Sequence, residues 1–149
     1  MRAVVQRVSR ASVAADGIER GEIGTGLCVF VGIGDGDGER DAEWLVGKIE
    51  GLRVFCDEAD KMNLNVKQVG GSLLIVSQFT LYGDCRKGMR PSYDSAMPVE
   101  KARAVYELFS KMCARTGIPV VSGVFQADMR VSIENDGPVT LLLDSKKTF

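Results

Sequence analysis

A chain of 149 residues, 45% hydrophobic and 26% charged, fits one compact globular domain and leaves little room for a second. Histidine is absent, which excludes Ser-His-Asp and Cys-His couples and HExxH zinc sites. Proton transfer in any enzymatic reading therefore falls to a carboxylate, a lysine, a hydroxyl, water or the substrate itself. The formal net charge of −1 argues against broad nonspecific nucleic-acid binding, while leaving room for a local basic surface.

The opening MRAVVQRVSR has no apolar run of signal-peptide length, and no stretch approaches about 18 consecutive apolar residues. A soluble protein that stays in the cytoplasm is expected. Cys28, Cys56, Cys85 and Cys113 are widely spaced with no CxxC pair, so free thiols are expected rather than a zinc site or disulfide framework.

In chain order, the β-branched density from Arg2 to about Ala14 predicts a strand. Asp16-Gly17 is a hairpin-type turn, and a short strand returns through Ile18 and Ile23. GLCVFVGI from Gly26 to Ile33 predicts a buried strand. GIGDGDGER fits neither an EF-hand, because Arg40 occupies the required glycine position, nor GxGxxG, because Asp37 stands where the third glycine belongs. It is expected to be a surface loop.

Ala42, Leu45, Val46, Ile49 and Leu52 recur at helical spacing, predicting a helix from Glu39 to about Phe55. Asp57 to Val69 is polar and predicts a loop or irregular edge. SLLIVSQFTL, from Ser72 to Leu81, predicts a strand buried on both faces. Residues 83–97 form an irregular basic segment, after which Pro98 suits the first turn of a helix. The apolar face of that helix is Ala102, Val105, Tyr106, Phe109, Met112 and Cys113, and Thr116-Gly117 ends it. The tail predicts strands at Val120–Gln126, Met129–Glu134 and Val139–Leu143, the last two joined by a turn at Asn135-Asp136-Gly137-Pro138. The whole is a single α/β domain over 1–149, a mixed sheet with two main helices.

Two segments stand out chemically. In Ser77-Gln78-Phe79-Thr80-Leu81, polar side chains interrupt the end of a buried strand. Strand ends are where such folds place ligand sites, because backbone groups there lose their ladder partners; a strand simply emerging into solvent reads the same way. Asn135-Asp136-Gly137-Pro138 is ordinary turn chemistry. Proline, lacking an amide proton, also leaves neighbouring carbonyls free to act as acceptors.

SQFTL at Ser77–Leu81 and NDGPVT at Asn135–Thr140 resemble the two signature motifs of the D-aminoacyl-tRNA deacylase family. The similarity extends through MRAVVQRV, RKGMRPSY and ADMRVSIENDGPVTLLLDS, and neither motif departs from the family pattern. The resemblance implies layered α/β/β architecture and hydrolysis of the ester between a D-amino acid or glycine and the 3′-terminal adenosine of tRNA. It implies no cofactor and no metal. Ser77, Gln78, Phe79 and Thr80 would line the catalytic pocket, with the backbone amides near Phe79 and Thr80 holding the carbonyl oxygen. Either Thr80 Oγ is the nucleophile, or the tRNA's own 2′-hydroxyl helps activate water. A threonine without a base is a poor nucleophile, which favours the second reading.

By the same resemblance, Gly137-Pro138 corresponds to a Gly-cisPro motif entering the active site of the partner subunit of a homodimer. It would engage the substrate's α-amino group and leave no room for an L side chain. Arg7 matches a position bracing this motif, and Phe125 and Met129 match positions near the pocket; the alternatives are a surface arginine and two core residues. Arg86, Lys87 and Arg90, with Lys146 and Lys147, are candidates for tRNA phosphate contacts. Other readings of the chain are a non-catalytic module recognising a tRNA end, and a hydrolase of a different aminoacyl ester.

Overall fold

The computed structural model describes residues 1–149. Strand β1 (Arg2–Ala15) is its spine. Its first half pairs antiparallel with β3 (Gly26–Gly32) and its second half with β2 (Ile18–Ile23). The β1–β2 turn carries positive φ at both Asp16 (51°) and Gly17 (76°), the backbone that tight hairpin turns require. β3 continues the sheet in parallel to β6 (Ser72–Ser77) and then β7 (Val120–Ser122). β8 (Met129–Asp144) pairs with β1 along almost its whole length. β4 (Phe55–Cys56) and β5 (Met62–Leu64) form a separate two-stranded hairpin.

Helices α1 (Glu39–Gly51) and α2 (Val99–Arg115) cover one face of the sheet. Their buried residues, Ala42, Leu45 and Ile49 from α1 and Tyr106, Phe109 and Cys113 from α2, join Val5, Leu27, Val29, Leu73 and Ile75 in the larger core. The opposite face holds a smaller core of Val8, Val13, Cys28, Leu74 and Val76, closed by Met129, Val131 and Ile133 of β8. The two clusters explain the unbroken apolar run of β6, whose successive side chains face opposite cores. The expected α/β domain with a mixed sheet and two helices is what the chain forms.

Several boundaries differ from expectation. The first helix stops at Gly51 rather than near Phe55: Leu52 turns extended (ψ 120°), and Phe55 is recruited to pair with Leu64 across the small hairpin. The strand predicted at Val120–Gln126 ends at Ser122: Gly123 makes a last bond to β6 at Ile75 O (2.8 Å), and beyond it the chain turns, with Ala127 N donating back to Val124 O. The loop at 32–40 is not wholly superficial, since Asp37 is buried within it.

The largest correction concerns Asn135-Asp136-Gly137-Pro138, which does not reverse the chain. Both of its flanks pair with the same strand, Thr140 opposite Gln6 and Asn135 opposite Val8. Residues 136–139 thus stand against Arg7 alone and are pushed out of the ladder as an enlarged bulge. Proline is tolerated there because no ladder bond is asked of it.

Candidate active site

β6 ends where Gln78 N donates to Val31 O at 2.7 Å, the last bond tying this segment to the sheet. The chain then closes into a one-turn 3-10 helix, Phe79–Tyr82, so the expected strand to Leu81 stops at Ser77. The first backbone bond turning back within it runs from Leu81 N to Gln78 O (3.3 Å). The amides of Phe79 and Thr80 lie ahead of that bond and have no intrahelical acceptor, as at any helix start. Two adjacent free N–H groups form the kind of donor pair that stabilises a developing oxyanion.

Beside this helix is a mainly apolar cavity of about 510 Å³. Its walls come from β3 (Val31), the end of β6 (Val76, Ser77), Gln78 and Phe79, the segment at Ala96–Met97, and the start of α2. Met97 N reaches Ile33 O (3.0 Å) and Asp35 N reaches Ser95 O (3.0 Å), fixing the 95–97 wall to the sheet. Phe125 and Met129 complete the lining. Phe125 packs on Tyr106 (centroids 5.4 Å apart) and lies beneath the Arg103 guanidinium at 4.9 Å. Met129 presses on Gly123, where an added Cβ would fall 2.6 Å from its sulfur. Phe79 is 59% exposed at the rim, edge-on to Tyr93 with centroids 5.0 Å apart.

Five of the nine sequence-predicted site residues therefore share one cavity: Ser77, Gln78, Phe79, Phe125 and Met129. Thr80 is the next residue, exposed beside the rim, and its hydroxyl accepts a hydrogen bond from the Gln78 carboxamide. A carboxamide is not a base in either orientation, so Thr80 has no proton acceptor to activate it.

The other three form a second cluster outside the cavity lining. Arg7, largely buried, donates from Nε to Asp136 O (3.0 Å) and from Nη1 to Val54 O (2.6 Å). It thus braces the bulge carrying Gly137 and Pro138, whose connecting peptide bond is cis. Gly137 has φ 123°, and a Cβ there would fall 2.9 Å from Arg7 Nη2. Gly137 and Pro138 are both exposed.

Among the basic candidates, Arg86 is engaged by the carboxylate of Asp84 through Nε (2.9 Å) and Nη2 (2.6 Å). Lys146 lies 2.9 Å from Asp41 and 3.6 Å from Asp37. Lys87, Arg90 and Lys147 have no carboxylate within ion-pair distance. Sequence reasoning missed the cavity wall at Val31, Ala96, Met97 and Val99. Their apolar character reads as ordinary core, and only the tertiary fold turns them toward one space.

The model of the D-Tyr-tRNA(Tyr) deacylase family matches residues 4–144. The chain is 56% identical to the D-aminoacyl-tRNA deacylase of Syntrophobacter fumaroxidans and 55% identical to that of Thermotoga petrophila, each over 149 residues and the full length of both chains. Among solved structures it resembles the c-Myc DNA unwinding element binding protein, with TM-score 0.90 and 42% identity over 97% of this chain and 98% of that one. A probable eukaryotic D-amino acid tRNA deacylase shares the fold at 16% identity, with TM-score 0.81 over 95% of this chain and 97% of that one. With its full-length relatives and the family model in agreement, this chain belongs to the D-aminoacyl-tRNA deacylases, a family of hydrolases.

Proposed function

We propose that the chain removes D-amino acids, and glycine, from tRNA by hydrolysing the ester to the 3′-terminal adenosine, and that it spares L-aminoacyl-tRNA by steric exclusion. The ester is already activated, so positioning and oxyanion stabilisation supply most of what the reaction needs. The substrate carbonyl oxygen sits against the Phe79 and Thr80 amides, and water attacks with help from the ribose 2′-hydroxyl. The observation that carries this reading is the contact between Gln78 and Thr80: the hydroxyl of the residue that bears one of the two free amides faces a carboxamide and no base.

The active unit in this reading is a homodimer acting on aminoacyl-tRNA in the cytoplasm. Gly137-Pro138 of each subunit enters the cavity of its partner, and its carbonyls take the substrate ammonium. In support, the motif is exposed and absent from the lining of its own cavity, while Arg7 holds it as a fixed projection. The alternation of half-buried and exposed residues along β8, with Leu142 62% exposed, leaves apolar surface for a second copy to cover. Lys87 and Arg90 are the free cations closest in sequence to the rim residue Tyr93 and suit phosphate contacts.

Turnover of D-tyrosyl-tRNA, L-tyrosyl-tRNA and an amide-linked D-tyrosyl analogue tests the reading. Release from the first alone, with binding of the third, is expected. Equal turnover of the D and L esters would overturn the exclusion mechanism.

A further inference from the structure

The one-turn helix Phe79–Tyr82 is short, exposed at its start, and attached to the sheet at Gln78. Its far end is anchored differently. Tyr82 is buried, its ring lying against Gly34, where an added Cβ would fall 2.5 Å from the ring. The hydroxyl of Tyr82 donates to Asp37 Oδ2 at 3.1 Å. That same oxygen accepts Gly34 N at 2.7 Å and meets the Met1 α-ammonium at 2.7 Å. Asp37 and Met1 are both essentially inaccessible to solvent. A buried carboxylate is retained only where donors and a counter-charge surround it, and here three donors converge on one oxygen. Lys146 Nζ, 3.6 Å from Oδ1, adds a second cation.

The Arg2 guanidinium lies over the Tyr82 ring, 4.5 Å from its centroid, and donates from Nη1 to Leu81 O at 3.2 Å. Burial, and then the neighbouring Asp37, push the Tyr82 phenol well above its ordinary range, so it stays protonated and keeps donating. None of these groups lines the cavity. They do hold the last two residues of a four-residue helix whose first two residues carry the free amides.

We infer that Tyr82 and Asp37 are positioning residues for deacylation, fixing the orientation of the Phe79 and Thr80 amides by pinning the end of their helix to the buried ion pair with Met1. The inference rests on the reading of that amide pair as the oxyanion site. Such a site is sensitive to small displacements, because a misplacement of about 1 Å can cost on the order of a hundredfold in rate.

The test is Tyr82→Phe, which keeps the ring against Gly34 and removes only the hydroxyl, with Asp37→Asn as a second variant that keeps the side chain's shape. Steady-state deacylation of D-tyrosyl-tRNA is measured with amide hydrogen exchange of Leu81, the bond that closes the helix. The expected result for Tyr82→Phe is a fall in kcat of about ten- to a hundredfold at near-unchanged KM, with exchange at Leu81 accelerated beyond what any change in the global unfolding transition accounts for. Asp37→Asn should shift both readouts the same way. If it fails to fold, Tyr82→Phe alone decides. Faster exchange with wild-type kcat overturns the inference by removing the oxyanion reading beneath it. Unchanged exchange, whatever the kcat, overturns it at the anchor itself.

Discussion

Gln78 donates a hydrogen bond from its side-chain amide to the hydroxyl of Thr80, two residues along and at the start of the same one-turn helix. The contact ties down the Thr80 hydroxyl beside the free amide pair and offers it nothing that accepts a proton. Thr80→Ala should therefore retain substantial deacylase activity, within about tenfold of the parent. Deleting a true nucleophile costs a thousandfold or more. Single-turnover deacylation of D-tyrosyl-tRNA measures the difference, and a 2′-deoxy terminal adenosine should be the more damaging change.

The amide at Phe79 can be removed without deleting the helix. Phe79 is its first residue, and proline is tolerated at that position because the N–H there is unpaired in any case. Phe79→Pro should lose deacylation by about a hundredfold or more, the scale of losing one oxyanion donor. Phe79→Ala, which keeps the N–H, should lose far less. Comparable kcat values for the two variants would show that the amide is not used.

Arg7 joins two pieces of backbone that are distant in sequence, Val54 O and Asp136 O. Arg7→Ala strands the Val54 carbonyl and frees the bulge. Stability should drop by about 1–3 kcal/mol, as for a buried acceptor left without its donor, and kcat/KM for D-aminoacyl-tRNA should fall with it. Arg7→Lys should not restore either property, because an ammonium lacks the planar fork that spans both carbonyls. Chemical denaturation together with deacylation assays checks both outcomes.

Much of this architecture was legible in the sequence, and the exceptions are instructive. The alternating and continuous apolar runs of β1, β3 and β6 marked their strands because each lies against a core on one face or both. The five cavity residues were legible through family motifs, whereas Asp37 and Tyr82 were not. A glycine-rich acidic stretch reads as surface, and it takes the long-range approach of the Met1 ammonium, Tyr82 and Lys146 to make burial of its aspartate tolerable. Asn135-Asp136-Gly137-Pro138 carries every local mark of a turn. Local chemistry does not reveal that β1 pairs with the chain on both sides of it, and that long-range pairing converts the turn into a bulge.

Asp41 should be one of the groups that weaken the fold in acid. Burial alone would raise its carboxyl pKa, but hydrogen bonds from Ser145, Lys146 and Gly38 outweigh burial and bring it from 3.8 to about 2. A group depressed on folding contributes stability above its unfolded pKa and loses it as pH falls through the folded one. The unfolding free energy should decline between about pH 4 and pH 2, and Asp41→Asn should flatten that decline. Denaturation midpoints across this range, unchanged by the substitution, would remove Asp41 from the account.

The central claim is that Gly137-Pro138 filters chirality across a subunit interface, and subunit mixing tests it most directly. Gly137→Ala disables the motif, since alanine strains a backbone at φ 123° and its Cβ falls 2.9 Å from Arg7 Nη2. Phe79→Pro disables the pocket. Each homodimer should be inactive on D-tyrosyl-tRNA. After verified exchange, a heterodimer pairs the intact pocket of one subunit with the intact motif of the other. An equimolar mixture should then recover roughly a quarter of parental activity, one working site in half of the dimers. A mixture that exchanges subunits and stays inactive would contradict the account, assigning the motif to its own subunit or the filter to another part of the molecule.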